Sequence, residues 1–327
     1  KAFWEKHSAA WWWGGAVALS CLLLAGIASW YPWGMEHYLW PAYEAKCAHP
    51  LQSLAAEFPA GDHRAKLDFR LTVPLFAWTL GLQRHGLVLL YLVCQAAVLF
   101  LAHLLFLRSS KDRAAAGLFC LALAATPPGS EALFGRAFFD PAALLLGTAC
   151  LLTSAAGFLA PLALLLSFVD ERALLMFPAI AIHHAFATET GRRPSWRPAL
   201  VLLVVALLHF GVRLVLARQF GLTFSLHGEE GGFYWLFKNF RFFQAMTAAT
   251  FEFGWLLVLA AGAFMLAGKM RPQLGLFALA LAIPLIPSVL VADVGRSMNY
   301  ALPAFLALVV RLPAFLVLAG PEFGGGG

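Results

Sequence analysis

Apolar stretches long enough to cross a bilayer recur along this chain from Trp11 to Leu318. A transmembrane helix needs about 20 mostly apolar residues, and no interval between these stretches is long enough to fold in water alone. The composition agrees, because 61% of the residues are hydrophobic and 12% are charged, whereas about a quarter of the residues in soluble domains are charged. The sequence therefore predicts a single all-α, polytopic membrane domain over residues 1–319.

About ten transmembrane helices are expected along this domain. Their approximate positions are 11–30, 86–107, 114–126, 139–157, 159–169, 173–188, 198–219, 250–268, 273–292 and 297–318. The first is long enough to span and carries three adjacent tryptophans, so we interpret it as a span and not as a signal peptide. Residues 320–327, which end in four glycines, are expected to be an artificial tail.

Basic residues fall in alternate loops, which the positive-inside rule assigns to the cytoplasm. These clusters are Lys1 and Lys6; Arg108, Lys111 and Arg113; Arg192, Arg193 and Arg197; and Lys269 and Arg271. Both termini are then cytoplasmic, and most of the 17 carboxylates lie on the outer side. The net charge of +6 is explained by topology, so nucleic acid is not an expected partner. An inverted orientation is the alternative.

Two long loops lie on the outer side, at residues 31–85 and 220–249. The first mixes aromatic residues, prolines and charges, which predicts helices that lie on the membrane surface. The second contains an aromatic stripe at 233–243 that carries Lys238 and Arg241. Aromatic and basic residues of this kind are typical of the headgroup level.

The first outer loop supplies candidate acids at Glu36, Asp62 and Asp68. If residues 62–70 are helical, three basic side chains share one face and form a cationic phosphate site beside Asp62 or Asp68. These side chains are His63, Lys66 and Arg70. The alternative is a solvated helix with ordinary ion pairs.

Three further charged segments fall at the outer ends of expected spans, where ionisable residues are costly and need a reason. The segments contribute Asp140 before Pro141, then Asp170, Glu171 and Arg172, then Asp293, Arg296, Ser297, Asn299 and Tyr300. Each has an ordinary alternative, namely a helix cap, a simple loop or a local salt bridge. Their placement on one side favours a shared site.

This arrangement resembles the GT-C superfamily of membrane glycosyltransferases, which take sugars from polyprenyl-phosphate carriers. Members begin with a span from the cytoplasm, continue with a long outer loop that contains surface helices and a catalytic acid, and end with many short-looped spans. The family's acid tends to follow the first span closely, where this chain has Glu36 and no aspartate before Asp62. A second acid near the start of a middle span matches Asp140 in Phe-Phe-Asp-Pro.

The resemblance implies glycosyl transfer at the periplasmic face of a bacterial inner membrane. A carboxylate would act as general base on a lipid, glycan or protein hydroxyl, and basic residues would hold the donor's lipid phosphate. The implied bases are Glu36, Asp62, Asp68 and Asp140; the phosphate ligands are His63, Lys66, Arg70, Arg172 and Arg296; the lipid-guiding residues are Lys238 and Arg241; and the supporting residues are Asp170, Glu171, Asp293, Asn299 and Tyr300. Some members use a divalent metal, but the sequence offers no diagnostic ligand set, so metal dependence stays open.

Three other classes remain as alternatives. A transporter or flippase for a lipid-linked or anionic substrate would also carry charges along its pathway, although we find no repeat between the two halves. A polysaccharide polymerase or ligase would share outer-face arginines and a lipid-linked donor, but its large loop usually comes late in the chain. A non-enzymatic scaffold is the third.

Overall fold

The computed structural model describes residues 13–23, 39–58, 63–134, 139–186, 195–222, 233–268, 270–290 and 294–312. Within these ranges all regular structure is helical and no β-strand is present, which confirms the all-α class. The α-helices are α1 (Trp13–Leu23), α2 (Trp40–Ala48), α3 (Thr72–Leu80), α4 (Arg84–Ser110), α5 (Arg113–Ala124), α6 (Pro127–Ser130), α7 (Asp140–Leu152), α8 (Ala156–Ser167), α9 (Phe177–Ala185), α10 (Arg197–Phe220), α11 (Phe233–Phe251), α12 (Gly254–Ala267), α13 (Arg271–Ser288), α14 (Val294–Met298) and α15 (Leu302–Val309). The 3-10 helices are Leu54–Ala56, His63–Phe69, Glu131–Phe134, Glu171–Met176 and Asn299–Ala301.

Three of the described helices, α4, α10 and α13, are long and apolar enough to cross a membrane. The C-terminal part of α11 (Phe242–Phe251) and helix α12 meet at 86°. If these two segments form one broken span, they make a fourth crossing. This count is lower than the expected ten because four other apolar helices, α1, α5, α7 and α8, have only 10–17 residues in the described ranges. At about 1.5 Å per residue, even the longest of these falls short of a hydrocarbon core about 30 Å thick.

Helix α10 has a surface suited to lipid. Only 17% of its most apolar window is buried inside the molecule, and Leu200, Leu203 and Leu207 are between 57% and 64% exposed. A helix with so many exposed leucines is unfavourable in water and favourable against lipid acyl chains. The helix therefore supports an integral membrane protein.

Helix α15 forms the centre of the packing. All eight of its residues are buried, which is typical of a helix surrounded by other helices. Helices α7 and α9 pack against it, and α4 packs against α7. At Gly147 of α7, an added Cβ would lie 2.7 Å from the Met176 sulfur, so a larger residue there would require the Met176 side chain to shift.

The two loops that the sequence assigns to the outer side are largely helical where the structure describes them. In the first, α2 and α3 pack against each other, in agreement with the expectation that this loop contains helices. In the second, the aromatic stripe forms the first half of α11. Helix α11 ends at a sharp bend, where Glu252 adopts a left-handed backbone with φ of 47°.

Candidate functional site

Four separate parts of the chain bring charged side chains to one buried cluster. Arg70 follows the 3-10 helix His63–Phe69, and Asp140 begins α7, where Pro141 takes the first-turn position that suits proline. Asp170 caps the 3-10 helix Glu171–Met176 by accepting a hydrogen bond from the Arg172 amide at 2.9 Å. Arg296 comes from α14, just before the central helix α15. We call these residues, with Arg172, the charge cluster.

Asp170 is the centre of the first half of the charge cluster. Its two carboxylate oxygens accept hydrogen bonds from Arg172 Nε at 2.9 Å and Arg172 Nη2 at 2.6 Å. Arg70 Nη2 lies 3.1 Å from the same carboxylate and 3.5 Å from the partly exposed Glu171 carboxylate. Arg172 also donates to the Ser297 hydroxyl at 2.8 Å, which ties the break between α8 and α9 to α14.

Asp140 is the centre of the second half. The Tyr300 hydroxyl donates to Oδ1 of Asp140 at 2.6 Å, and Arg172 Nη2 lies 3.6 Å from the same oxygen. Arg296 Nε lies 3.0 Å from Oδ2 of Asp140. Arg172 therefore bridges the two aspartates, and its guanidinium also lies 5.0 Å from the centre of the Tyr300 ring.

The electrostatics keep Asp170 and Arg70 ionised. Burial alone would raise the pKa of Asp170, but Arg172 and Arg70 outweigh burial and hold that pKa well below its usual range. Burial would likewise lower the pKa of Arg70, yet Asp170 and Glu171 raise it overall. Buried Arg70 and Arg296 and the partly exposed Arg172 thus face two buried aspartates and the exposed Glu171. Guanidinium groups of this kind are able to bind anions.

Two buried tyrosines beside Asp140 were not among the residues expected from the sequence. The rings of Tyr43 and Tyr91 pack edge-on to Phe139, with centroids 4.2 Å and 6.4 Å from its ring. Within the described part of the chain, neither hydroxyl has a hydrogen-bond partner. Burial raises the pKa of Tyr43, so its hydroxyl stays protonated and able to donate. No sequence pattern distinguishes these tyrosines from the other aromatic residues of the loop and span.

Glu131 is a second acid that sequence reasoning missed. Its carboxylate accepts a hydrogen bond from the Asn299 amide at 2.7 Å, and both side chains are buried. The neighbouring Tyr300 binds Asp140, so two consecutive residues of one 3-10 helix hold two acids. The sequence feature that could have identified Glu131 is its position in the short turn before Asp140, because the sequence assigns that turn to the outer side.

Asp68 lies in a different buried ion pair. Its carboxylate is 3.5 Å from Lys46 Nζ and accepts hydrogen bonds from the Ser53 hydroxyl and the Leu54 amide, both at 2.7 Å. These contacts join α2 to the 3-10 helix that precedes Arg70. Asp68 therefore has a clear structural role two residues from the charge cluster.

Several expected site residues cannot be placed against the charge cluster. Glu36, Asp62 and Asp293 lie outside the described residues, as do the side-chain positions of His63, Lys66 and Arg241. Residues 63–69 form a 3-10 helix and not an α-helix, so the expected α-helical face ending at Arg70 does not form. Lys238 lies over the Trp235 ring at 4.5 Å, on α11, which packs against α14.

No group of three His, Cys, Asp or Glu side chains converges as metal ligands in the described ranges.

No protein-family model matches the sequence, and no curated protein and no solved structure shows significant similarity to it.

Proposed function

We propose that this protein is a membrane glycosyltransferase that moves a sugar from a polyprenyl-phosphate carrier to a hydroxyl acceptor at the outer face of the membrane. The observation that carries the proposal is the charge cluster, in which three arginines and two aspartates from distant segments meet in a buried site. A surface ion pair needs no such convergence of distant segments, and burying four of these five charged side chains is costly unless they serve a purpose.

Asp140 is the best placed of the candidate bases. Asp170 has both oxygens committed to Arg172, and Asp68 is committed to Lys46 and to the Ser53–Leu54 turn. Oδ2 of Asp140, in contrast, is held by an ion pair with Arg296 Nε at 3.0 Å and has no hydrogen-bond partner in the described part of the chain. An acceptor hydroxyl would supply that partner, and the carboxylate would take its proton as it attacks the anomeric carbon.

The arginines suit the leaving phosphate. Arg70, Arg172 and Arg296 all bring guanidinium groups to the charge cluster, and guanidinium groups bind phosphate oxygens through two parallel hydrogen bonds. Charge that develops on the leaving lipid phosphate would be stabilised by donors that are already in place. The protein's own aspartates hold these donors in position when no phosphate is bound.

The membrane architecture of this proposal has about ten crossings. The long helices α4, α10 and α13 support the outline, and the shorter apolar helices would fill the remaining crossings. Broken and short helices are tolerated at membrane depth where other helices bury them, which is the situation of α15. The bacterial inner membrane and cytoplasmic termini belong to the same proposal.

The test is sugar transfer by the full-length protein reconstituted in vesicles, with polyprenyl-phosphate-linked glucose, mannose, galactose and arabinose as donors. Alanine is placed in turn at Glu36, Asp62, Asp68 and Asp140, and Asp140→Asn keeps the shape of the side chain. We expect Asp140→Asn to lower the transfer rate by about 100-fold or more, the range of general-base catalysis.

The matched control is Asp112→Asn, because Asp112 is an exposed cap of α5 and asparagine caps equally well. Its transfer rate should equal that of the wild type. Size-exclusion profiles and thermal unfolding identify variants that fail to fold. Full activity in all four acid variants would disprove the mechanism.

A further inference from the structure

The helices α2 and α3 form the walls of a surface groove. The groove has two adjoining clefts with volumes of about 410 Å³ and 430 Å³, within the size range of ligand sites. Both clefts are lined by Ala48 and Trp78, so they adjoin at these two residues, and together we call them the groove. Along α2, Tyr43 packs on Phe139 beside Asp140, and the next residue, Glu44, lines the groove.

The lining combines one large aromatic surface with several polar groups. Trp78 is 59% exposed. His49 and Gln52 line the first cleft and Gln83 lines the second. Their side chains are exposed and make no hydrogen bond within the described part of the chain. The groove therefore offers free donors and acceptors around an indole ring.

The groove carries little net charge. Glu44 is the acidic side chain in its lining, and Arg84 neutralises it through contacts of 2.7 Å and 3.0 Å to the two carboxylate oxygens. Among the described residues, no lysine or arginine lines either cleft. A phosphate headgroup would meet only Arg84, which is already paired with Glu44, in contrast to the three arginines of the charge cluster.

We propose that this groove binds a neutral saccharide. A sugar ring has apolar C–H faces that pack on an indole, and hydroxyl groups that both donate and accept hydrogen bonds with amide, imidazole and carboxylate groups. An uncharged polyol is the ligand class that matches this lining without leaving a charge unpaired. The further step, that this saccharide is the acceptor of the transfer, rests on the proposed function.

The experiment measures binding directly and does not depend on transfer. Purified full-length protein in detergent is mixed with neutral hexasaccharides of glucose, mannose, galactose and arabinose, and saturation-transfer NMR detects which ring protons contact the protein. At least one saccharide should bind. The Trp78→Ala variant should weaken its binding about tenfold, and Gln52→Ala should weaken it by a smaller factor.

The control is Trp196→Ala, because Trp196 is also an exposed tryptophan, 50% accessible, and lies outside the groove. Binding should not change in this variant. Absence of saturation transfer for every saccharide, or equal binding by the wild type and Trp78→Ala, would overturn the proposal.

The Asp140→Asn variant separates this inference from the proposed function. It should still give saturation transfer to the saccharide even though it no longer transfers sugar. Saccharide binding by a wild-type protein that shows no sugar transfer would refute the glycosyltransferase proposal and leave the groove assignment standing. Sugar transfer by a protein that binds no saccharide in the groove would refute the groove assignment and leave the glycosyltransferase proposal standing.

Discussion

At the scale of single residues, Asp170 is the most firmly held charge in the site. Its pKa lies well below the usual range, because Arg172 and Arg70 outweigh the opposing effect of burial. A carboxylate with a depressed folded-state pKa stabilises the fold above its unfolded-state pKa, and that stability is lost only as the pH falls further. The stabilising contribution should therefore be constant across neutral and mildly acidic pH.

We predict that Asp170→Asn lowers the free energy of unfolding by about 3 kcal/mol, because it removes the buried carboxylate that pairs with both Arg172 and Arg70. Chemical unfolding in detergent measures the difference from the wild type. That difference should be the same at pH 8 and pH 5 and should shrink only below about pH 3.8, the ordinary value for the carboxyl. A difference that already shrinks between pH 7 and pH 5 would contradict the depressed pKa.

The residues of the site were only partly predictable from the sequence. Arg70, Arg172 and Asp140 were recognisable because charges at the ends of apolar runs are costly and conspicuous. Tyr43 and Tyr91 were not, since aromatic residues are ordinary in such loops and spans. The roles of all these residues in catalysis stay predictions.

At the scale of elements, apolar runs located the helices well and their lengths poorly. The run at 86–107 corresponds to α4 and the run at 198–219 to α10. The run at 297–318, in contrast, begins with α14 and a 3-10 helix before the eight residues of α15. An apolar sequence shows that a segment is removed from water, either by lipid or by other helices. Composition therefore could not distinguish a membrane-crossing helix from a short helix inside the protein.

The turn between α5 and α7 provides a test of element packing. At Gly129 in α6, an added Cβ would lie 1.8 Å from the Leu123 carbonyl oxygen, so backbone must move. We predict that Gly129→Ala lowers the free energy of unfolding by about 3 kcal/mol or more, as overpacking against backbone does. Thermal unfolding of the purified protein measures the loss.

The matched variant is Gly157→Ala, where an added Cβ meets nothing within 4 Å in helix α8. It should be neutral or raise the stability by about 0.5–1 kcal/mol, because alanine is the better helix former. Equal effects of the two substitutions would mean that α6 does not pack against the end of α5 as described.

At the scale of the whole molecule, the proposed function requires the charge cluster and the groove to face the outside of the cell. Helix α4 links the groove to the opposite side of the proposed bilayer. Its first residue, Arg84, binds Glu44 at the groove, and its 27 residues are enough to carry the chain across the bilayer to Lys111. The two ends of this one helix therefore report the orientation of the site.

We predict that a cysteine at Gln83 is labelled by a membrane-impermeant maleimide in intact spheroplasts and that a cysteine at Lys111 is labelled only after permeabilisation. Both positions are exposed, and all five native cysteines are buried, so the wild type supplies a low background. The basic residues Arg108, Lys111 and Arg113 give the physical reason, because positive charges are retained on the cytoplasmic side. The reverse labelling pattern would place the charge cluster in the cytoplasm, where a periplasmic glycosyl transfer cannot occur.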